Sequence, residues 1–469
     1  MPIFSSPSEA RMGSLGIAAL IPCPPLPNIL AEWAAILPLV CNLASQRDDY
    51  ITTGDIALRG RLSVGIFPRL GTFSGLARLL RRGTKYLDHA SSKGGSSRIV
   101  WDVKWGSIFP CANGAAFTAI SKCLMSRGKT PLQRMPGALP SEPHDTNCKR
   151  PVAHSCPALG LGYNSFKSEV GDYDSPEGCA KDEGIRRHQI LHVYQLYQKP
   201  IRYSLRHRVD QLRLSALGQT IRLFLFICLA VLLCLLGGYG SATLVVCTSL
   251  SEIVALNVTI RRPAAYLRNN ETHDACMLVA SHENATEWHL YIGDRGIADT
   301  ILNKPMFVLP EGRPARLAAT WFWFANLFQF AAMTFVAAQK GWDGVWMLVL
   351  LTTHWAFRGF LYGRTLAHDW LEREGVGAEV RSFEFGGRYA MIGAIQVFSG
   401  SASASWMDNI LVPHPRREAW LKCLRGEKLT DKFGPHDAKW LKSASDGSLA
   451  SADVLRRAFR VGVTCKTSL

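Results

Sequence analysis

The sequence predicts a mainly helical, polytopic membrane protein. It would have about four transmembrane helices in two hairpins, a small α+β cytoplasmic insert and a largely disordered N-terminal region. Two observations carry that fold class. No charged residue occurs from Leu223 to Ser251, and after the single Glu252 the chain stays apolar to Ile260. Two further uncharged apolar runs follow, Ala318 to Gln339 and Gly344 to Phe357. Runs of about 18 or more apolar residues match the thickness of a bilayer and exceed what a soluble core helix needs.

Residues 223–260 are too long for one crossing. A single helix would run roughly 57 Å at 1.5 Å per residue, against roughly 30 Å of hydrocarbon, and tilt does not absorb a twofold excess. Gly237–Gly238–Tyr239–Gly240 lies near the middle and is a turn signal. The segment therefore reads as a hairpin over 219–260. The same logic makes 318–357 a second hairpin, turned at Gln339–Gly344, with Trp321, Phe322, Trp323 and Phe324 as an interfacial aromatic belt.

Charge orients the hairpins. Arg261, Arg262, Arg268, Arg313, Arg316, Arg358 and Arg364 fall on one side, which the positive-inside rule makes cytoplasmic. The sequons at Asn257, Asn270 and Asn284 then face the cytoplasm or the bilayer and stay unmodified. A rival topology crosses once over 223–260 and puts 263–317 outside, where Asn270 and Asn284 become acceptors.

The remaining segments are read as follows. Residues 1–45 form an apolar leader broken by Pro22, Pro24, Pro25, Pro27 and Pro38, with a kinked transmembrane segment as one form of it. Residues 46–184 show little sustained period and are expected to be of low order, so that deleting them should leave 215–425 intact. Residues 185–218 read as a basic amphipathic helix: Ile190, Tyr194, Tyr197, Ile201, Leu205, Val209 and Leu212 follow helical spacing among seven Lys and Arg. Within 261–317, residues 273–282 and 286–292 read as two strands, with a short helix over 297–302. Residues 358–469 read as a cytoplasmic tail in which Trp420, Leu421 and Trp440, Leu441 mark short amphipathic helices.

Composition is consistent with this and narrows the partners. The 469 residues carry 53 Lys and Arg against 37 Asp and Glu, a net +16. That excess suits anionic lipid headgroups. Nucleic acid is not expected, since no helix-turn-helix, zinc-finger or RNP-like pattern occurs. Mean hydropathy is only +0.05, so long polar stretches dilute the spans. Of 13 Cys, Cys228, Cys234 and Cys247 lie in the apolar run, and the others have no regular spacing that implies a disulfide framework.

The stretch Arg262–Met306, with Arg388-Tyr-Ala-Met-Ile-Gly-Ala-Ile-Gln396, Trp406-Met-Asp408 and Pro413-His-Pro-Arg-Arg417, resembles a family of uncharacterised multi-pass membrane proteins of filamentous fungi. The resemblance covers about 215–425 and implies a membrane location. It brings no activity and no catalytic residue.

Candidate chemistry is sparse. His273, Cys276, His282 and His289 offer four ligand-type side chains, but strand alternation would divide them between two faces, and no metal or cofactor is expected. His144, Cys148, His154 and Cys156 form a looser group. Asp294-Arg295-Gly296 reads as a turn with a local ion pair. Polar residues inside the spans carry more information. Asn326 and Gln329 lie on one helix face, and His354 lies in the next span; they either line a solute path or join helices by hydrogen bonds. No nucleophile–base or carboxylate–metal pattern is apparent, so the chain is read as a non-enzymatic scaffold or sensor with unknown protein partners. A small-solute transporter or channel subunit, oligomeric because four spans are few, is the alternative.

Overall fold

Seven strands from distant parts of the chain meet in one mixed sheet, and helices cover both of its faces. The computed structural model describes residues 21, 24–45, 49–64, 71–83, 85–87, 97–128, 131–136, 188–200, 216–269, 271–339, 341–357, 363–427 and 433–460. Its elements begin with α1 (Asn28–Ser45), α2 (Asp49–Arg59), α3 (Thr72–Arg82), β1 (Ile99–Asp102), β2 (Ile108–Pro110), α4 (Gly114–Arg127) and β3 (Gln133–Arg134). Then come β4 (Gln189–Gln198), α5 (Ala216–Leu235), α6 (Tyr239–Asn257), β5 (Ala275–Ala280), β6 (Glu287–Gly293), α7 (Arg295–Leu302), α8 (Arg313–Gln339) and α9 (Trp342–Phe357). The rest is α10 (Gly363–Arg373), β7 (Val376–Phe385), α11 (Arg388–Ser399), a 3-10 turn (Ser405–Met407), α12 (Pro415–Leu424) and α13 (Pro435–Arg460).

The chain is mainly helical, and among the described residues three helices are long and apolar enough to cross a membrane: Leu217–Leu235, Tyr239–Asn257 and Arg313–Gln339. α5 and α6 are separated at Gly237, whose φ of 78° lies in the left-handed region that glycine adopts without strain. The Gly238 N–H closes the end of α5 on the Leu233 carbonyl at 2.7 Å. α6 sits inside the bundle, 61% buried over its apolar window, whereas α5 lies outside at 17%. Leu217, Phe224 and Leu225 on α5, and Leu317, Trp323 and Phe328 on α8, are exposed. A helix in water would turn such faces inward.

The sheet runs in the order β2-β1-β5-β6-β4-β7-β3. β4 and β6 are parallel, with His192 opposite His289 and Tyr194 opposite Tyr291; β4 and β7 are antiparallel, with His192 opposite Ser382. One face carries Tyr194, Leu196, Met277, Val279, Tyr291 and Val380 and packs on Phe117, Ile120 and Leu124 of α4, Ile301 of α7 and Trp370 of α10. That core continues through Phe73 and Leu76 of α3 to Phe322 of α8, so the sheet and the apolar helices share one interior. The other face, with Leu191, Val193, Leu278, Trp288, Leu290 and Phe383, packs on α11, α12 and α13.

Four expectations are corrected here. Within 46–184, the described residues contribute α2, α3, α4 and three strands; Phe73, Val100, Trp101 and Phe117 are fully buried. Those strands are too short to show a period alone; β2 pairs with the nearby β1, but β1 and β3 join the sheet through β5 and β7, more than a hundred residues away. Within 185–218, residues 189–198 form a central strand and not a helix. Both faces of β4 are covered, so Leu191 and Val193 are as apolar as Tyr194 and Leu196; an apolar run of that kind satisfies helical spacing by coincidence. Residues 201–215 lie outside the described residues. The two strands expected in 261–317 form β5 and β6, but as middle strands of the large sheet and not as a separate insert. The described residues of 358–469, read as a tail with short amphipathic helices, are built into the body: β7 pairs along the whole of β4, and α11 to α13 pack into the second core. Within 1–45, α1 is a helix containing Pro38 that packs on α8 and α9; residues 1–20 lie outside the description.

Candidate functional site

The structure places the polar span residues on neighbouring helices. Asn326 and Gln329 lie on α8, and His354 on α9. Gln329 is buried at 1% exposure, and neither its amide oxygen nor its nitrogen has a hydrogen-bond partner among the described residues. Asn326 and His354 are half-buried. A groove of about 700 Å³ runs between α5, α6 and α8, but its walls are apolar residues such as Ile227, Val231, Val246, Leu250 and Phe328. None of the three polar residues lines it.

Glu252 is the ionisable group the apolar run could not hide. It lies in α6 and is buried. One carboxylate oxygen meets the Arg222 guanidinium of α5 at 2.9 Å; the other accepts the Val64 N–H at 2.8 Å. The acid in the candidate span thus joins a second candidate span to the segment that follows α2. Trp321 of α8 adds a hydrogen bond to Ser251 at 3.1 Å. A buried carboxylate is stable only when its charge is paired and its lone pairs are used, and both conditions hold here.

A polar row crosses the otherwise apolar first face of the sheet. Ser382 Oγ lies 2.8 Å from His192 Nδ1, and His192 Nε2 lies 3.3 Å from Glu287 Oε1. His289 stacks on His192 with ring centroids 5.4 Å apart, and its Nδ1 is 3.1 Å from the Tyr194 hydroxyl. Tyr194 stacks in turn on Tyr291, whose hydroxyl meets Ser121 Oγ of α4 at 2.8 Å. The sheet register sets this row: residues 192, 289 and 382 are direct cross-strand partners, and 194 and 291 form the next pair.

The electrostatics keep the two imidazoles of the row neutral. Burial, then His192 and Arg98, push the His289 imidazole down to about 3. Burial also lowers His192, while Glu287 beside it pulls the other way. Burial raises the Tyr194 and Tyr291 hydroxyls above the ordinary tyrosine range. A carboxylate only accepts, so the His192 nitrogen facing Glu287 carries the proton. Nδ1 is then the acceptor, and the Ser382 hydroxyl donates to it.

The other sequence candidates are dispersed. Cys276 is buried on the face of β5 opposite to His289, and His273 and His282 are exposed. Among the described residues, no three His, Cys, Asp or Glu side chains are placed to hold a metal ion. His144, Cys148, His154 and Cys156 lie outside the described residues. Asp294 caps α7 by accepting the Ile297 N–H at 3.2 Å. Arg295 is buried against Asp102 at 2.9 Å, Glu271 at 3.1 Å and Asp299 at 3.7 Å, a wider network than a local turn pair.

Sequence reasoning missed Ser382, His192 and Glu287 together, because 190 residues separate the serine from the histidine. The usable signal was parity: in Gln189–Gln198, His192 and Tyr194 share one face once the segment is read as a strand. No family model matches the chain, and no curated protein or solved structure matches it either.

Proposed function

We propose that this chain is an integral, multi-pass membrane protein that acts as a scaffold or sensor through its polar α/β body. In this reading α5, α6, α8 and the shorter α9 cross the bilayer as two hairpins. The body lies on the cytoplasmic face, against anionic headgroups, and presents its surface to protein partners or to further copies of the chain. Kinship with the fungal multi-pass family belongs to the same proposal. The observation that carries it is the Glu252 junction, where one buried carboxylate ties two candidate spans to the body. A body joined in this way would register changes in the packing of the spans. Exposed apolar side chains on α5 and α8 supply the lipid-facing surface that the reading requires.

The test is extraction and topology. The chain should stay in the membrane pellet through alkaline carbonate. Asn284 should remain unglycosylated, so Asn284→Gln should leave gel mobility unchanged with or without glycosidase. Release by carbonate would remove the membrane reading, and a glycosidase-sensitive shift lost in the variant would invert the topology. One observation favours the transporter or channel alternative: Gln329 presents a buried amide with no partner inside a candidate span.

A further inference from the structure

We infer that the body carries a serine-dependent esterase site, with Ser382 as nucleophile, His192 as general base and Glu287 as the residue that positions the base. The inference rests on the sheet and is independent of the membrane reading. Three groups stand in the order that acyl transfer requires: a hydroxyl 2.8 Å from an imidazole nitrogen, and a carboxylate 3.3 Å from the other nitrogen of the same ring. The ring is used in the reverse sense from the commonest triad, with Nδ1 as the base and Nε2–H held by the acid; the chemistry needs only one free lone pair and one oriented N–H. Burial keeps His192 in its neutral, proton-accepting form near neutral pH. Ser382 is half-buried, and Glu287 is 55% exposed, so the row opens to solvent at the Glu287 end.

Binding space lies along the same strand. Val380 shares the face of Ser382 two residues away, roughly 7 Å along β7. With Leu124, Val376 and Ala378 it lines a cavity of about 320 Å³. That volume is at the lower end for small-ligand sites, about 300–1,000 Å³. Its lining is mixed: the apolar part suits the acyl chain of a carboxylic ester, and Arg127, Lys199 and Glu379 supply charged groups. In the first half-reaction Ser382 Oγ adds to the ester carbonyl carbon and its proton moves to His192 Nδ1. The bond to the leaving oxygen then breaks, that oxygen takes the proton from Nδ1, and the acyl group stays on Ser382. Water next adds to the acyl carbon, His192 takes its proton, and the acid leaves as the proton returns to Ser382. Ester and water become acid and alcohol, with no change of oxidation state.

The experiment uses the full-length chain, purified in detergent, with a fluorophosphonate probe and p-nitrophenyl butyrate. The wild type should carry a single probe adduct at Ser382, located by peptide mass, and Ser382→Ala should lose it. His192→Asn should slow labelling and ester turnover by about 10²–10⁴-fold. Glu287→Gln should move the midpoint of the pH–rate profile to lower pH, because the carboxylate no longer favours the imidazolium; loss of a purely structural contact would not move it. Folded wild-type protein with no adduct at Ser382 overturns the inference without recourse to any variant. Labelling unchanged in folded His192→Asn also overturns it.

Discussion

Ser241 gives Asp343 three hydrogen bonds: its N–H and its hydroxyl reach Oδ1 at 2.9 and 2.6 Å, and the hydroxyl also reaches the Asp343 backbone carbonyl at 3.0 Å. The second carboxylate oxygen accepts the Gly240 N–H at 2.7 Å. Asp343 therefore caps the first turn of α6 from the start of α9, and it is buried there at 3% exposure. In the sequence it looked like one polar residue in an exposed turn. Its negative charge also faces the positive end of the α6 dipole. Asp343→Ala leaves the Gly240 and Ser241 N–H donors buried without partners, while the Ser241 hydroxyl keeps the residue 343 backbone carbonyl, and should cost about 2–3 kcal/mol. The check is thermal unfolding of the purified protein, in which Asp343→Asn should fall between wild type and Ala.

Close backbone approach makes a second prediction. A Cβ on Gly344 would lie 2.9 Å from the Ala34 carbonyl carbon and the Ala35 nitrogen, both main-chain atoms of α1. Gly344→Val should therefore push α1 off α9. Overpacking of this kind typically costs about 1–3 kcal/mol. Limited proteolysis should then cut within 28–45 in the variant and not in the wild type. Equal protection in both would mean that α1 docks elsewhere.

The neutral histidine row fixes the sign of a pH response. His289 is held at about 3 in the folded chain, below the unfolded value of about 6.5. Between those values the unfolded chain binds the extra proton, so stability is complete above pH about 6.5 and falls as pH drops towards 3. The slope for this group approaches ~1.4 kcal/mol per pH unit. His192 acts in the same direction, more weakly because Glu287 favours its charged form. Unfolding midpoints measured from pH 7.5 to 5 should fall in the wild type, and His289→Gln should flatten the curve. An unchanged slope in that variant would assign the acid sensitivity to other groups.

What was legible in the sequence was whatever a single element reveals by itself. The break at Gly237–Gly240, the long apolar stretches of α5, α6 and α8, the apolar run of β5 after its polar lead-in, and the alternation in β6 needed no distant partner. The strands β1, β2 and β3 have four, three and two residues; β1 and β3 join the sheet on β5 and β7, and β2 follows by pairing with β1. β4 was hidden for the opposite reason, since burial on both faces erased its alternation. The polar row inherits both difficulties, because it is assembled by register between strands about 95 to 190 residues apart. The folded role of residues 97–134 makes a prediction of its own. Deleting them removes β1, β2, α4 and β3 and bares the β5 edge, so the chain should fail to accumulate as folded protein. Stable accumulation of that deletion would return the segment to the status of a dispensable leader.

Gln329 decides between anchor and path. It lies within a candidate span, is 1% exposed, and its amide oxygen and nitrogen have no hydrogen-bond partner among the described residues. Leaving a buried amide unsatisfied costs about 1–3 kcal/mol, whereas an apolar side chain of similar size carries no such cost. If α8 only anchors, Gln329→Leu should leave the unfolding midpoint unchanged or raise it, and Asn326→Leu should change little at a half-buried position. The double variant should then complement cells lacking the chain in proportion to its membrane abundance. If the two amides serve a polar solute, the double variant should be as abundant as wild type, or more so, and yet fail to complement. Membrane abundance and complementation are therefore measured side by side in the same cells. Full abundance with lost complementation would sink the anchor reading and put transport first. A loss of stability of about 0.6–2 kcal/mol in Gln329→Leu would instead reveal an interhelical hydrogen bond made through a bound water or a second copy of the chain.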